Sequence, residues 1–165
     1  GVLRGSYVQH ARMLGLKVCD LITESKVREA DVFILGYRKN PFKFFAKANL
    51  FVLSSSWEGF PNSLVEAMIC GVPVISSDCP TGPREILAPD TQSSSQLTEA
   101  EDTPYGTLLP VLGDEPEKHD VSIWKNVITS YLSDSEMARQ KSMRAWQKVK
   151  EFDIKYARQR WEAIL

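Results

Sequence analysis

The chain has 165 residues, 43% hydrophobic and 25% charged, enough for one domain with a proper core but not for two. Its formal net charge of −1 gives no global attraction for nucleic acid or an anionic membrane. No run approaches the roughly 18 apolar residues of a membrane span, and no signal peptide is expected.

Cys19, Cys70 and Cys79 are irregularly spaced and form neither a disulfide framework nor a zinc pattern, which fits a reducing compartment. The chain opens Gly1-Val2-Leu3-Arg4 without an initiator Met, as expected of a piece excised from a longer protein. Arg4 to Leu16 reads as a helix, with Tyr7, Val8, Ala11 and Leu14 near helical spacing and Gly15 as its stop. The mixed, polar stretch from Leu16 to Ala30 assigns to no element. Asp31 to Leu35 is a short apolar run ended by Gly36, the signature of a buried strand. Asn40-Pro41 opens a short helix with Phe44, Phe45 and Ala48 facing inward. Leu50 to Leu53 is a second buried strand, closed by Ser54-Ser55-Ser56.

Ser63 to Cys70 is helical by composition and stops at Gly71, with Pro73 beyond. Val74-Ile75 forms a third strand core, and Gly82-Pro83 opens another short helix. Buried strands alternating with helices predict an α/β fold, a Rossmann-like parallel sheet flanked by helices. Residues 88–106, rich in Ser, Thr, Asp, Glu and Pro, read as a mobile loop. Thr107 to Val111 is a last short strand. Residues 121–165 read as a helical C-terminal segment, with Ile123, Trp124, Val127, Ile128 and Tyr131, then Met137, Met143, Trp146 and Val149, as its apolar positions. Phe152, Ile154, Tyr156 and Trp161 predict a final helix. The whole, 1–165, is expected to be one partial domain.

The chemistry concentrates in Trp57 to Met68, where a strand ends and a helix starts. Open α/β sheets bind ligands at the carboxyl ends of their strands. Helix starts there offer unpaired N–H groups and a positive dipole end, suited to a diphosphate. Gly59 lets backbone approach a ligand, and Glu58 and Glu66 supply carboxylates that accept hydrogen bonds from sugar or ribose hydroxyls. Plainer readings exist for both. Ser63 and Glu66 match a capping box, which would make Glu66 a holder of its own helix terminus. Glu58 reads equally as a solvated loop residue, and Arg84-Glu85 as ordinary helix-start chemistry.

The run from Glu58 to Glu66, a Glu, seven residues and a second Glu, resembles the hallmark of the family 4 retaining glycosyltransferases of the GT-B fold. Ala67 to Ser76 resembles that family's helix, Gly turn and next strand. Phe33 to Tyr37 resembles its nucleotide-side strand and loop, and Ala48 to Ser54 the strand before the motif. Ser77 to Leu87 is similar to a variant common in enzymes that build bacterial surface polysaccharides and glycans. The likeness covers most of residues 1–87 in order, and identifies the chain as the C-terminal, donor-binding half of such an enzyme.

The resemblance implies roles position by position. Glu66 is similar to the Glu that binds the nucleotide ribose, and Glu58 to the Glu beside the donor sugar, a candidate catalytic residue. Gly59 and Phe60 would contact the sugar, the backbone of Asn62, Ser63 and Leu64 would approach the phosphates, and Gly36, Tyr37 and Arg38 would border the base. The implied donor is a nucleotide sugar, with UDP expected, passed with retention to a glycan or lipid-linked acceptor. The site is expected to use no metal and no cofactor, since helix N-termini and basic side chains stabilise the leaving diphosphate.

The family's early Gly-Arg and Lys-Gly stretch is not present, and neither is the other Rossmann-like domain that binds the acceptor and supplies a His. His10 and His119 match no family motif. The isolated piece is therefore expected to bind donor weakly and to be inactive in transfer. The intact enzyme is expected to be cytoplasmic, with peripheral association at the inner membrane face. Arg38 to Lys47 mixes basic and aromatic residues, read as a surface helix with inward aromatics rather than a nucleic-acid or membrane site. The basic residues of the tail, Lys141 among them, read as a solvated helix face. The rival function is a non-catalytic nucleotide-sugar-binding module, against which the presence of both glutamates counts.

Overall fold

The structure, a computed structural model, describes residues 3–91, 96–113 and 116–150. The chain divides into two compact units, Gly1–Pro41 and Phe42–Leu165.

In the first unit, helix α1 (Arg4–Met13) ends before Gly15, whose φ of +79° is the left-handed conformation that glycine adopts without strain. Strand β1 (Val18–Asp20) pairs in parallel with β2 (Val32–Ile34), Val18 opposite Val32 and Asp20 opposite Ile34. The unassigned stretch after Leu16 thus contains a strand. Its three residues are too few to show a period, and it ends in a buried acid, Asp20, which Arg4 pairs at 2.7 Å. The apolar positions of α1 do not mark a buried face: Tyr7 and Leu14 are exposed and none of the helix is buried.

The second unit runs α2 (Phe42–Phe45), β3 (Phe51–Leu53), α3 (Asn62–Ile69), β4 (Val74–Ser77), α4 (Pro83–Leu87), β5 (Glu101–Thr103), β6 (Gly106–Leu109), α5 (Lys118–Ser133) and α6 (Ser135–Val149). Its sheet has the order β3-β4-β6-β5. β3, β4 and β6 are parallel, and β5 pairs antiparallel with β6. The expected loop over 88–106 therefore holds a strand, whose polar sequence Glu101-Asp102-Thr103 suits a sheet edge and hides it from a search for apolar runs. Within that loop, 92–95 lie outside the described residues.

Alternation along the central strands places helices on both faces. Val74 and Leu108 pack into one cluster with Leu64, Met68, Ile86, Leu87, Ala145 and Val149. Their successors Ile75 and Leu109 point the other way, into a cluster with Ile123, Trp124, Tyr131 and Ala138. β4 and β6, each paired on both edges, are buried throughout. β3 is buried less than expected, because it is paired on one edge only and leaves Val52 41% exposed.

Three expectations of packing need correction. Of the aromatics near α2, Phe45 turns inward, edge-on to Phe51 at 5.5 Å, while Phe44 and Ala48 are exposed. In the second terminal helix Met143 and Trp146 are exposed, and the buried face is Ala138, Lys141, Ser142, Ala145 and Val149. That face, mostly small residues, packs against α3 and β6. Lys141 is not solvated: its ammonium donates to the carbonyls of Thr103 at 2.8 Å and Gly106 at 3.0 Å and pairs with Asp102, which locks the β5–β6 hairpin. The predicted final helix with Phe152, Ile154, Tyr156 and Trp161 lies outside the described residues.

Candidate functional site

Two loops leave the carboxyl ends of adjacent parallel strands, residues 54–61 after β3 and 78–82 after β4. Backbone hydrogen bonds zip them together. Glu58 N–H donates to Pro80 O at 2.9 Å, and Thr81 N–H donates to Glu58 O at 2.8 Å. The Thr81 hydroxyl donates to Gly59 O at 3.0 Å. Gly82 fits this contact only because it lacks a Cβ, which would stand 2.4 Å from Pro61 Cδ, and its φ of +102° also favours glycine.

Glu58 is half-buried, not a free solvated loop residue. Its Oε1 accepts a 2.6 Å hydrogen bond from the Ser55 hydroxyl, and Ser77 Oγ donates at 2.6 Å to Ser55 O. Burial pushes the thiol of Cys79, in the neighbouring loop, up, with the Glu58 carboxylate adding to the rise.

Glu66 does not close a capping box. Helix α3 starts at Asn62, Pro61 is its N-cap, and no side chain caps it. Ser63 is already the second helical residue, two positions past the N-cap and too late for the reciprocal bonds of that motif. Glu66 projects half-buried from the next turn, and its carboxylate accepts no hydrogen bond and forms no ion pair among the described residues. At the α3 start, Asn62 N–H donates to Phe60 O at 2.9 Å and Leu64 N–H to Pro61 O at 3.0 Å, which leaves the Ser63 N–H open among the described residues. The Leu64 side chain is fully buried in the core. Gly59 has no packing reason to be glycine: a Cβ there meets nothing within 4 Å, and its φ is not positive. Phe60 is 48% exposed beside it.

The structure thus gathers Glu58, Gly59, Phe60, Asn62, Ser63, Leu64 and Glu66 at one sheet end. Gly36, Tyr37 and Arg38 belong to the first unit. There Gly36 turns the chain after β2 with φ +65°, tight against Ile22, and Tyr37 is 89% exposed.

Sequence reasoning missed the ion cluster behind the site. Arg84 grips Asp78 through Nε at 3.0 Å and Nη2 at 2.6 Å, and Glu101 through Nη2 at 2.8 Å. Both acids raise the Arg84 pKa further, Glu101 first. In sequence Arg84-Glu85 fits a helix start, and Asp78, six residues earlier, gives no sign of being its partner. Glu101, the second partner, comes from the unrecognised strand β5. The serines of the Glu58 network left only a weak signal, one Ser three residues before a Glu.

Among the described residues no group of three or more His, Cys, Asp or Glu side chains is placed to hold a metal ion. His10 is exposed on α1, and His119 pairs with Glu99 at 3.2 Å on the surface. A cavity of about 320 Å³ among Asn49, Gly71, Tyr131 and Arg139 lies where β3 and β4 begin, and none of the expected site residues lines it.

A mainly parallel sheet with helices on both faces and a helical C-terminal portion is the architecture of the C-terminal domain of a GT-B fold. The chain belongs to the family described as glycosyl transferases group 1, whose model matches residues 13–104. It is 32% identical to an uncharacterized glycosyltransferase of Methanocaldococcus jannaschii over 158 residues, 90% of this chain and 38% of that protein. It is 33% identical over 95 residues to the N-acetylgalactosamine-N,N'-diacetylbacillosaminyl-diphospho-undecaprenol 4-alpha-N-acetylgalactosaminyltransferase of Campylobacter jejuni, 58% of this chain and 26% of that one. The C-terminal domain of a glycosyl transferase group 1 family protein of Francisella tularensis shares the fold with a TM-score of 0.60 at 17% identity, over 92% of this chain and 63% of that one. The chain therefore spans well under half the length of these two curated relatives. No helix among the described residues is long and apolar enough to cross a membrane.

Proposed function

We propose that this chain binds a nucleoside-diphosphate sugar, with UDP as the nucleotide, as the donor half of a retaining glycosyltransferase. The observation that carries the reading is the freedom of the Glu66 carboxylate: an acid in the second turn of α3, engaged in no cap and no ion pair among the described residues, is available to ribose hydroxyls. The open Ser63 N–H and the positive end of α3 suit the diphosphate. Glu58, aimed by Ser55, suits the sugar ring and the positive charge that develops at its reacting carbon. Gly59 leaves room for the sugar where the protein's own packing does not require glycine.

In this reading the leaving diphosphate is stabilised by helix N-termini and basic side chains, without a metal or cofactor. Transfer to the acceptor belongs to a longer protein of the relatives' size, and this chain alone binds donor without turnover. A glycan or lipid-linked acceptor, met at the cytoplasmic membrane face, fits the diphospho-undecaprenol in the name of the Campylobacter relative. Tyr37 and Arg38 are proposed to border the base.

The test separates the two acids. Glu66→Gln should weaken UDP and UDP-galactose alike, and Glu58→Gln should weaken the sugar nucleotide while sparing UDP. Equal effects of both variants on both ligands, or none, would overturn the assignment.

A further inference from the structure

We propose that Ser55 is a positioning residue that aims the Glu58 carboxylate at the donor sugar, an inference that rests on the function proposed above. The geometry begins in β3. Phe51 and Leu53 are turned inward while Val52 and Ser54 are exposed, and the alternation continues past the strand, with Ser55 half-buried and Ser56 exposed. Of the three consecutive serines, Ser55 is therefore the one whose hydroxyl points toward the sheet end. Its carbonyl is fixed from the other side by the buried Ser77 hydroxyl at 2.6 Å, so Ser55 cannot drift from β4.

From that anchored position Ser55 Oγ donates to Glu58 Oε1 at 2.6 Å, a short charge-assisted bond. The Glu58 backbone is held separately by Pro80 and Thr81, so its Cα is placed whether or not the side chain is bonded. A glutamate with a fixed Cα and no side-chain partner still samples several rotamers. Among the described residues Ser55 alone bonds its side chain. The bond occupies one carboxylate oxygen and leaves the other to a ligand. The hydroxyl thus reaches the sugar only through Glu58, and its loss should be felt by the sugar and not by the nucleotide.

The experiment uses the whole chain as wild type, Ser55→Ala, Ser55→Thr and, as a control, Ser56→Ala. Glu side-chain carboxyl carbons are followed by NMR without ligand. Affinities for UDP and for UDP-galactose, UDP-glucose and UDP-N-acetylglucosamine are then measured by titration. The inference expects the Glu58 carboxyl signal to move in Ser55→Ala, to return toward wild type in Ser55→Thr, and to stay in place in Ser56→Ala. It expects Ser55→Ala to bind the preferred UDP-sugar about three- to tenfold more weakly, the scale of one ordinary hydrogen bond, with UDP unchanged. Wild type that binds UDP and a UDP-sugar, with no difference in Ser55→Ala, would overturn the inference and leave the proposed function standing. Wild type that binds none of these ligands would overturn both. An equal loss of UDP and UDP-sugar in Ser55→Ala would make Ser55 merely structural and overturn the positioning role.

Discussion

Arg84 offers the sharpest test of how the site is built. Its guanidinium is 13% exposed, Asp78 is 6% exposed and Glu101 32% exposed. Arg84→Met removes the positive charge while keeping most of the packing, and strands the buried Asp78 carboxylate. Breaking such a pair costs about 3–5 kcal/mol, and the partial exposure of Glu101 argues for the lower end, about 3 kcal/mol. With a urea m-value of about 2 kcal/mol/M, the unfolding midpoint should fall by about 1.5 M. The double variant Asp78→Asn/Arg84→Met removes both charges and should recover at least about 1.5 kcal/mol relative to additivity. The shift should persist in 0.5 M salt, because a buried pair is poorly screened. A midpoint loss below about 0.5 M, or one that disappears in salt, would refute the reasoning and return Arg84 to the ordinary helix-start role.

Gly82→Ala forces a side chain into positive φ and against Pro61, and should cost about 2–3 kcal/mol, read as a lower melting temperature together with displaced amide signals at 58–60. Burial raises the Tyr131 pKa to about 12, an effect its bond to Thr107 partly offsets. A raised folded pKa favours the neutral phenol in the native state, so this stability is complete below about pH 10 and is lost as pH rises toward 12. By pH 11 wild type should have lost about 1.4 kcal/mol relative to Tyr131→Phe, measured as the change in their urea midpoint difference between pH 9 and 11. Leu64→Ala, at a fully buried position on α3, should cost about 2–5 kcal/mol in the same unfolding assay. Burial raises the thiols of Cys70 and Cys79, so a thiol reagent at pH 7.5 should label both more slowly in the folded chain than in urea.

What the sequence made legible follows its physics. Short uninterrupted apolar runs located β3 and β4, and composition with a glycine stop located α3, which Gly71 follows at φ +71° as that pattern requires. The strands that escaped, β1 and β5, carry acids that break the apolar run and are paired only in three dimensions, Asp20 with Arg4 and Asp102 with Lys141. The helical tail was legible as helix but not as a face, because Ala and Ser carry little apolar signal beside Met143 and Trp146. Within the site, spacing located Glu58 and Glu66 but could not decide between cap and ligand for Glu66. The cap is ruled out by α3 beginning at Asn62, which puts Ser63 two positions past the N-cap. Ser55 and Thr81 stayed hidden because their roles depend on two loops lying side by side at the ends of paired strands.

The central claim is that the start of α3 takes a nucleoside diphosphate through Glu66. Titrating the isotope-labelled chain with UDP, GDP and ADP to several millimolar, beside Glu66→Ala, tests it most directly, since NMR detects the weak binding of about 4 kcal/mol that a millimolar dissociation constant represents. The account predicts saturable shifts at Ser63 to Glu66 with UDP and their loss in the variant. Unchanged spectra for a folded wild type, or shifts that survive in Glu66→Ala, would contradict it.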